Sequence, residues 1–144
     1  MKYSLLAAAF ISSLPYYALA DHELEGRDVR RGQSLYAEQC ASCHGVNLEG
    51  QKNWHTPSTD GTLPAPPHDG SGHTWHHDNA LLFSYTKLGG EKALERRGVD
   101  SFKSGMPAFS EILSDAEIWN ILAYIRSTWP VQAQQIQASR NPPH

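Results

Sequence analysis

Three stretches of the chain carry apolar residues at helical spacing, and turn-forming chemistry separates the first from the other two. The last is the clearest. Ile118, Ile121, Leu122 and Ile125 fall at i, i+3, i+4 and i+7, which is one face of a 3.6-residue helix. Ser114-Asp115-Ala116-Glu117 precedes them. This is a capping box, in which the serine and the glutamate each satisfy an amide at the helix start. Pro130 interrupts the pattern. Upstream, Ala80, Leu81, Leu82 and Tyr85 predict a helix over Asn79 to Leu88, with Asp78 as its cap and Gly89-Gly90 as its stop. Glu91 to Arg97 predicts a short helix ended by Gly98. At the front, Asp28 caps a helix that runs to about Cys40, with Val29, Leu35 and Tyr36 roughly on one side. No stretch reads convincingly as a strand, and no internal repeat is present. The fold class predicted is all-α, with three to five helices.

Two segments depart from this pattern. Residues 45 to 77 hold Gly45, Gly50, Pro57, Gly61, Pro64, Pro66, Pro67, Gly70 and Gly72. So long a loop in a small domain needs a function, or something other than protein to wrap around. At the N-terminus, Lys2 is followed by an apolar run from Leu5 to Leu14, then by Ala18-Leu19-Ala20. That is the pattern of a secretory signal peptide, and its apolar part is too short for an ordinary membrane span. The expected organisation is a leader over 1–20 cleaved after Ala20, a domain over 21–130, and a tail over 131–144 that carries another helical turn or two. No other segment is apolar for long enough to insert stably in a membrane. A formal charge of −3, one unit more acidic without Lys2, gives no reason to expect nucleic acid. It fits a redox partner with a basic patch.

Export changes how the cysteines read. Cys40 and Cys43, in Gln39-Cys40-Ala41-Ser42-Cys43-His44-Gly45, are the only two in the chain. An oxidising compartment favours disulfides, but a bridge across two residues closes a tiny loop and is a poor staple. The pair is therefore a redox centre or an attachment point. A dithiol oxidoreductase would need βαβ units that are missing here, and a zinc site is the lesser reading. C-x-x-C-H is the attachment signature of c-type haem. Both thiols add to vinyl groups on one porphyrin edge, the two intervening residues span that edge, and His44 then projects toward the iron. A sixth ligand is also available. Met106, the only methionine beyond the leader, lies in Ser104-Gly105-Met106-Pro107. Pro107 keeps it out of a helix interior, so an extended loop can offer its thioether. His/Met ligation raises the reduction potential relative to bis-His and closes both iron faces to substrates.

With these residues in place, the chain resembles class I cytochrome c from about Asp28 to Trp129. Gly32, Tyr36 and Cys40 match the family's N-terminal helix, and Ile121 to Arg126 resembles its C-terminal helix, with Tyr124 as the aromatic at their near-perpendicular crossing. The resemblance implies a cytochrome c-like fold around one haem c, bound through Cys40 and Cys43 with His44 and Met106 as axial ligands. It implies that the Pro66 carbonyl, or that of Pro67, accepts a hydrogen bond from the proximal histidine, and that Trp75 bonds a haem propionate. Trp119 and Trp129 read as structural. His68 is a departure, because the family usually packs an apolar residue there.

The implied function is electron transfer in a bacterial periplasm, by a monomer with no catalytic residues. A dehydrogenase or quinol-oxidising complex would be the donor, and a terminal oxidase or reductase the acceptor, in weak and transient encounters. A haem enzyme or sensor with a labile sixth ligand is the alternative. His73, His76 and His77 read first as a solvated loop meeting a propionate. They also leave open a copper or zinc site, hence a copper-associated accessory cytochrome, or a histidine in place of Met106.

Overall fold

The computed structural model describes residues 23–141, so the leader expected over 1–20 lies outside the described residues. Among those described, all regular structure is helical. α1 spans Val29–Gln39, α2 Ala41–His44, α3 Asn79–Leu88, α4 Gly90–Glu95, α5 Asp115–Ser127 and α6 Val131–Ala138, with a single 3₁₀ turn, η1, over Thr74–His76. No helix among the described residues is long and apolar enough to cross a membrane.

The caps fall where the sequence places them. Asp28 accepts from the amide of Arg31, and Asp78 from that of Leu81. Ser114 and Glu117 form both halves of their capping box. α4 begins one residue earlier and ends two residues earlier than its pattern suggests.

The crossing of α1 and α5 is the centre of the molecule. A Cβ at Gly32 would strike the backbone carbonyl of Asn120 and lie 3.1 Å from Tyr124 Cβ. Only glycine permits the two backbones to approach that closely. Leu35 and Tyr36 from α1 then pack with Ile118, Ile121, Leu122 and Ile125 from α5. Burying each isoleucine or leucine stabilises the fold by about 1.5–3 kcal/mol, so this crossing outweighs the half-exposed Arg31–Glu117 ion pair beside it (3.0 Å), worth up to about 1 kcal/mol.

The C-terminal stretch read as a tail forms α6, which packs on η1. Gln137 is fully buried and donates to Asn79 Oδ1 at 2.6 Å. Asn79 in turn donates to Glu23, and its own amide donates to Asn141 Oδ1. A polar network thus joins the first described residues, the start of α3 and the end of α6.

Candidate functional site

The two cysteines and His44 occupy one turn at the junction of α1 and α2. Cys40 ends α1, and its carbonyl accepts from Cys43 N at 3.1 Å and from His44 N at 2.9 Å. Both cysteines are free thiols, Cys40 buried and Cys43 exposed. Burial, and then the neighbouring Cys43, push the Cys40 thiol up to about 11.

The loop after α2 folds back to hold His44. Gly50 donates to the His44 carbonyl at 2.8 Å. It has φ +68°, and a Cβ there would meet Pro66 C at 2.6 Å. The Pro66-Pro67 segment is therefore pressed against the returning loop. His44 Nδ1 lies 2.9 Å from the Pro66 carbonyl. Of the two prolines considered, it is Pro66 that makes this contact. A carbonyl can only accept, so Nδ1 carries the proton and Nε2 keeps a free lone pair. Burial lowers the His44 pKa, and the bond to Pro66 partly offsets this. A buried, neutral imidazole with its outer nitrogen open is the form that ligates a metal.

His68 occupies the position where an apolar residue was expected. Its ring stacks on His44 with centroids 3.8 Å apart and planes 16° apart, and meets Tyr36 edge-on at 5.9 Å. Its Nδ1 is sealed from solvent and has no hydrogen-bond partner. Burial first, then His44 and His73, push its pKa well below the usual histidine range. Trp129, read as structural, donates its indole N–H to the His68 carbonyl at 2.7 Å.

Met106 sits in a loop fixed at both backbone ends. Its amide donates to Ser104 Oγ at 3.2 Å, and its carbonyl accepts from Gly90 N at 3.2 Å. Its side chain is partly buried and packs against the core that includes Cys40, as does that of Trp75. The Trp75 Nε1 donor is buried without a partner. Cys40, Cys43, His44 and Pro66 thus form one contiguous group, which Trp75 and Met106 join through shared packing. These residues fit a haem. Two thiols lie one turn from an open imidazole nitrogen, a thioether packs against the same core, and the orphaned indole donor at Trp75 suits a carboxylate such as a propionate.

The copper reading of His73, His76 and His77 finds no support. No group of three or more His, Cys, Asp or Glu among the described residues could hold a metal ion. The aromatic neighbours explain why. His76 packs against Trp75 at 3.8 Å, while His73 stacks on Trp54 at 5.2 Å and meets His77 edge-on at 5.3 Å. The rings pair with indoles and with each other's edges. Sequence reasoning missed Trp54 in this stack, the indole of Trp129 beneath His68, and the docking of α6. Trp54 stands alone in a polar loop, and no periodicity marks it.

Comparison with known proteins gives the family. The family described as Cytochrome c matches residues 29–129, from the first residue of α1 to Trp129. The thiosulfate dehydrogenase of Stutzerimonas stutzeri (strain A1501) is 32% identical over 106 residues, covering 71% of this chain and 28% of that protein. The Cbb3-type cytochrome c oxidase subunit CcoP of Azospirillum brasilense is 29% identical over 98 residues, covering 67% of this chain and 27% of that protein. The chain therefore spans under a third of the length of these curated relatives. No solved structure matches it significantly. The Cys40/Cys43/His44 turn, the α1–α5 crossing at Gly32 and a family match over most of the chain lead to one conclusion: this protein belongs to the cytochrome c family, whose chemistry is haem-based electron transfer.

Proposed function

We propose that the protein is a periplasmic one-electron carrier, a monomer that holds one haem c covalently and passes electrons between larger redox complexes. The observation that carries this reading is the bond from His44 Nδ1 to the Pro66 carbonyl. It directs the proton to one ring nitrogen and leaves the other open, one helical turn from Cys40. Cys40 and Cys43 would each add a thiol across a haem vinyl group, and so hold the ring through two thioether bonds. His44 Nε2 and the Met106 thioether would take the two axial positions, leaving neither face to a substrate. Trp75 Nε1 would donate to a propionate. When bound, the haem supplies one-electron chemistry at its iron between the ferric and ferrous states. The exposed Cys43 side of the turn would bring one haem edge near the surface, where a partner docks. The leader-like sequence pattern over 1–20 supports export, and the likeness to an oxidase subunit supports a respiratory acceptor.

The likeness to thiosulfate dehydrogenase supports a second reading, a haem domain with an enzymatic role and a labile Met106. Carbon monoxide separates the two. The reduced carrier resists it, and Met106→Ala binds it readily with a lowered potential. Rapid binding to the unmodified protein would favour the enzyme.

A further inference from the structure

His68 has no task in the reading above, and the structure holds it with unusual care. Its amide donates to the Leu48 carbonyl at 2.8 Å, and its carbonyl accepts from the Trp129 indole at 2.7 Å. The same Leu48 carbonyl accepts from Asp69 N at 3.2 Å. Leu48 itself sits at φ 64°, a left-handed conformation that disfavours leucine and persists only where its surroundings impose it. The His68 ring is then confined between His44 on one face and the edge of Tyr36.

We propose that His68 is a positioning residue for His44, fixing the plane of that ring and biasing the iron toward its oxidised state. This rests on the assignment of His44 as an axial ligand. A single hydrogen bond at Nδ1 points the His44 ring but lets it pivot about the bond. A second ring, parallel and 3.8 Å away, removes that freedom by contact. Electrostatics adds to this. A dipolar ring stands beside the proximal ligand where an apolar residue was expected. A less polar surrounding makes the extra positive charge of the oxidised iron harder to bear. On packing grounds alone leucine would serve better, because the buried Nδ1 of His68 lacks a partner and such a group destabilises the fold. A residue that lowers stability here while gripping the ligand is explained by its effect on the ligand.

The test compares the haem-loaded full-length protein with His68→Leu and His68→Phe. Three quantities are read: midpoint potential, the electron paramagnetic resonance g-values of the ferric state, and the thermal midpoint. His68→Leu is expected to keep the far-red methionine–iron band, to shift the potential upward and to change the g-values, with the thermal midpoint equal or higher. His68→Phe keeps a stacking ring, so its potential rises while its g-values stay close to the parent's. If His68→Leu does not load haem, His68→Phe decides through its potential. Potentials and g-values that coincide with the parent's overturn the proposal, as does a shift seen only with loss of the far-red band. If the parent itself shows haem but no such band, the Met106 assignment has failed, and the potentials and g-values of the variants still test His68 against His44.

Discussion

Four histidines share one tendency that gives the residue scale its clearest prediction. His44, His68, His73 and His77 all have lowered pKa values, with burial as the first cause in each. Each favours its neutral form when folded, so the unfolded chain binds more protons once pH drops below the ordinary histidine value of about 6.5. Their burial carries no protonation cost above that value and destabilises the fold progressively as pH falls below it. Asp78 shifts in the same direction for a different reason. Burial acts upward on it, but the Arg97 ion pair and the Leu81 amide outweigh this and lower its pKa. Its contribution therefore disappears only in the carboxylate range, near pH 4 and below. Urea midpoints of the haem-loaded protein should be flat from about pH 8 to 7 and fall between about pH 6.5 and 5, through His68, His73 and His77. A His73→Gln/His77→Gln variant should fall less steeply. Identical slopes for parent and variant would show that these two histidines titrate alike in the folded and unfolded chain.

Elements are where local propensity and packing compete. Gly32→Ala should gain up to about 1 kcal/mol of helix propensity. The new methyl would meet the Asn120 carbonyl, and backbone cannot move aside as a flexible side chain can. Overpacking costs about 1–3 kcal/mol, so a net loss of stability and poorer haem retention are expected. A variant as stable as the parent by denaturant titration would mean that the helices can separate freely. The sequence made this crossing legible because glycine, aromatic and cysteine stand four apart on α1, and the α5 stripe is regular. Caps were equally legible, since Asp28, Asp78 and Ser114 act within three residues of themselves. His44 and the cysteines could be read because covalent attachment imposes a fixed local spacing. Choosing Pro66 over Pro67 required the loop's path, which depends on distant contacts. His68 on His44, Trp129 under His68 and Trp54 on His73 join residues 19 to 61 positions apart, and no local pattern encodes such meetings. The histidine-rich stretch was ambiguous for the same reason. Closeness in sequence left a shared metal open, while the pairing of His73 with Trp54 and of His76 with Trp75 appears only in the fold.

At the scale of the whole molecule, α6 lies beyond the stretch matched by the family yet closes the structure over η1, which carries Trp75. A chain ending at Pro130 loses the Gln137–Asn79 bond and the buried Ala133. It should lose about 2–4 kcal/mol of stability, from about 1 kcal/mol per hydrogen bond and about 25 cal/mol per Å² of apolar surface. Its haem should still attach, because Cys40 and Cys43 lie outside that contact. An unchanged thermal midpoint would show that α6 does not brace the domain. The acidic net charge of −3 favours a basic partner surface, so association with such a partner should weaken as salt rises. The central claim is that this fold carries one covalent haem between His44 and Met106. The most direct test is the optical spectrum, oxidised and reduced, of protein matured in a periplasm. The account predicts c-type reduced bands that survive acid–acetone extraction, together with the weak far-red band of a methionine–ferric bond, lost in Met106→Ala. A c-type spectrum without that band in the parent, or with it intact in Met106→Ala, would contradict the ligation on which the carrier function rests.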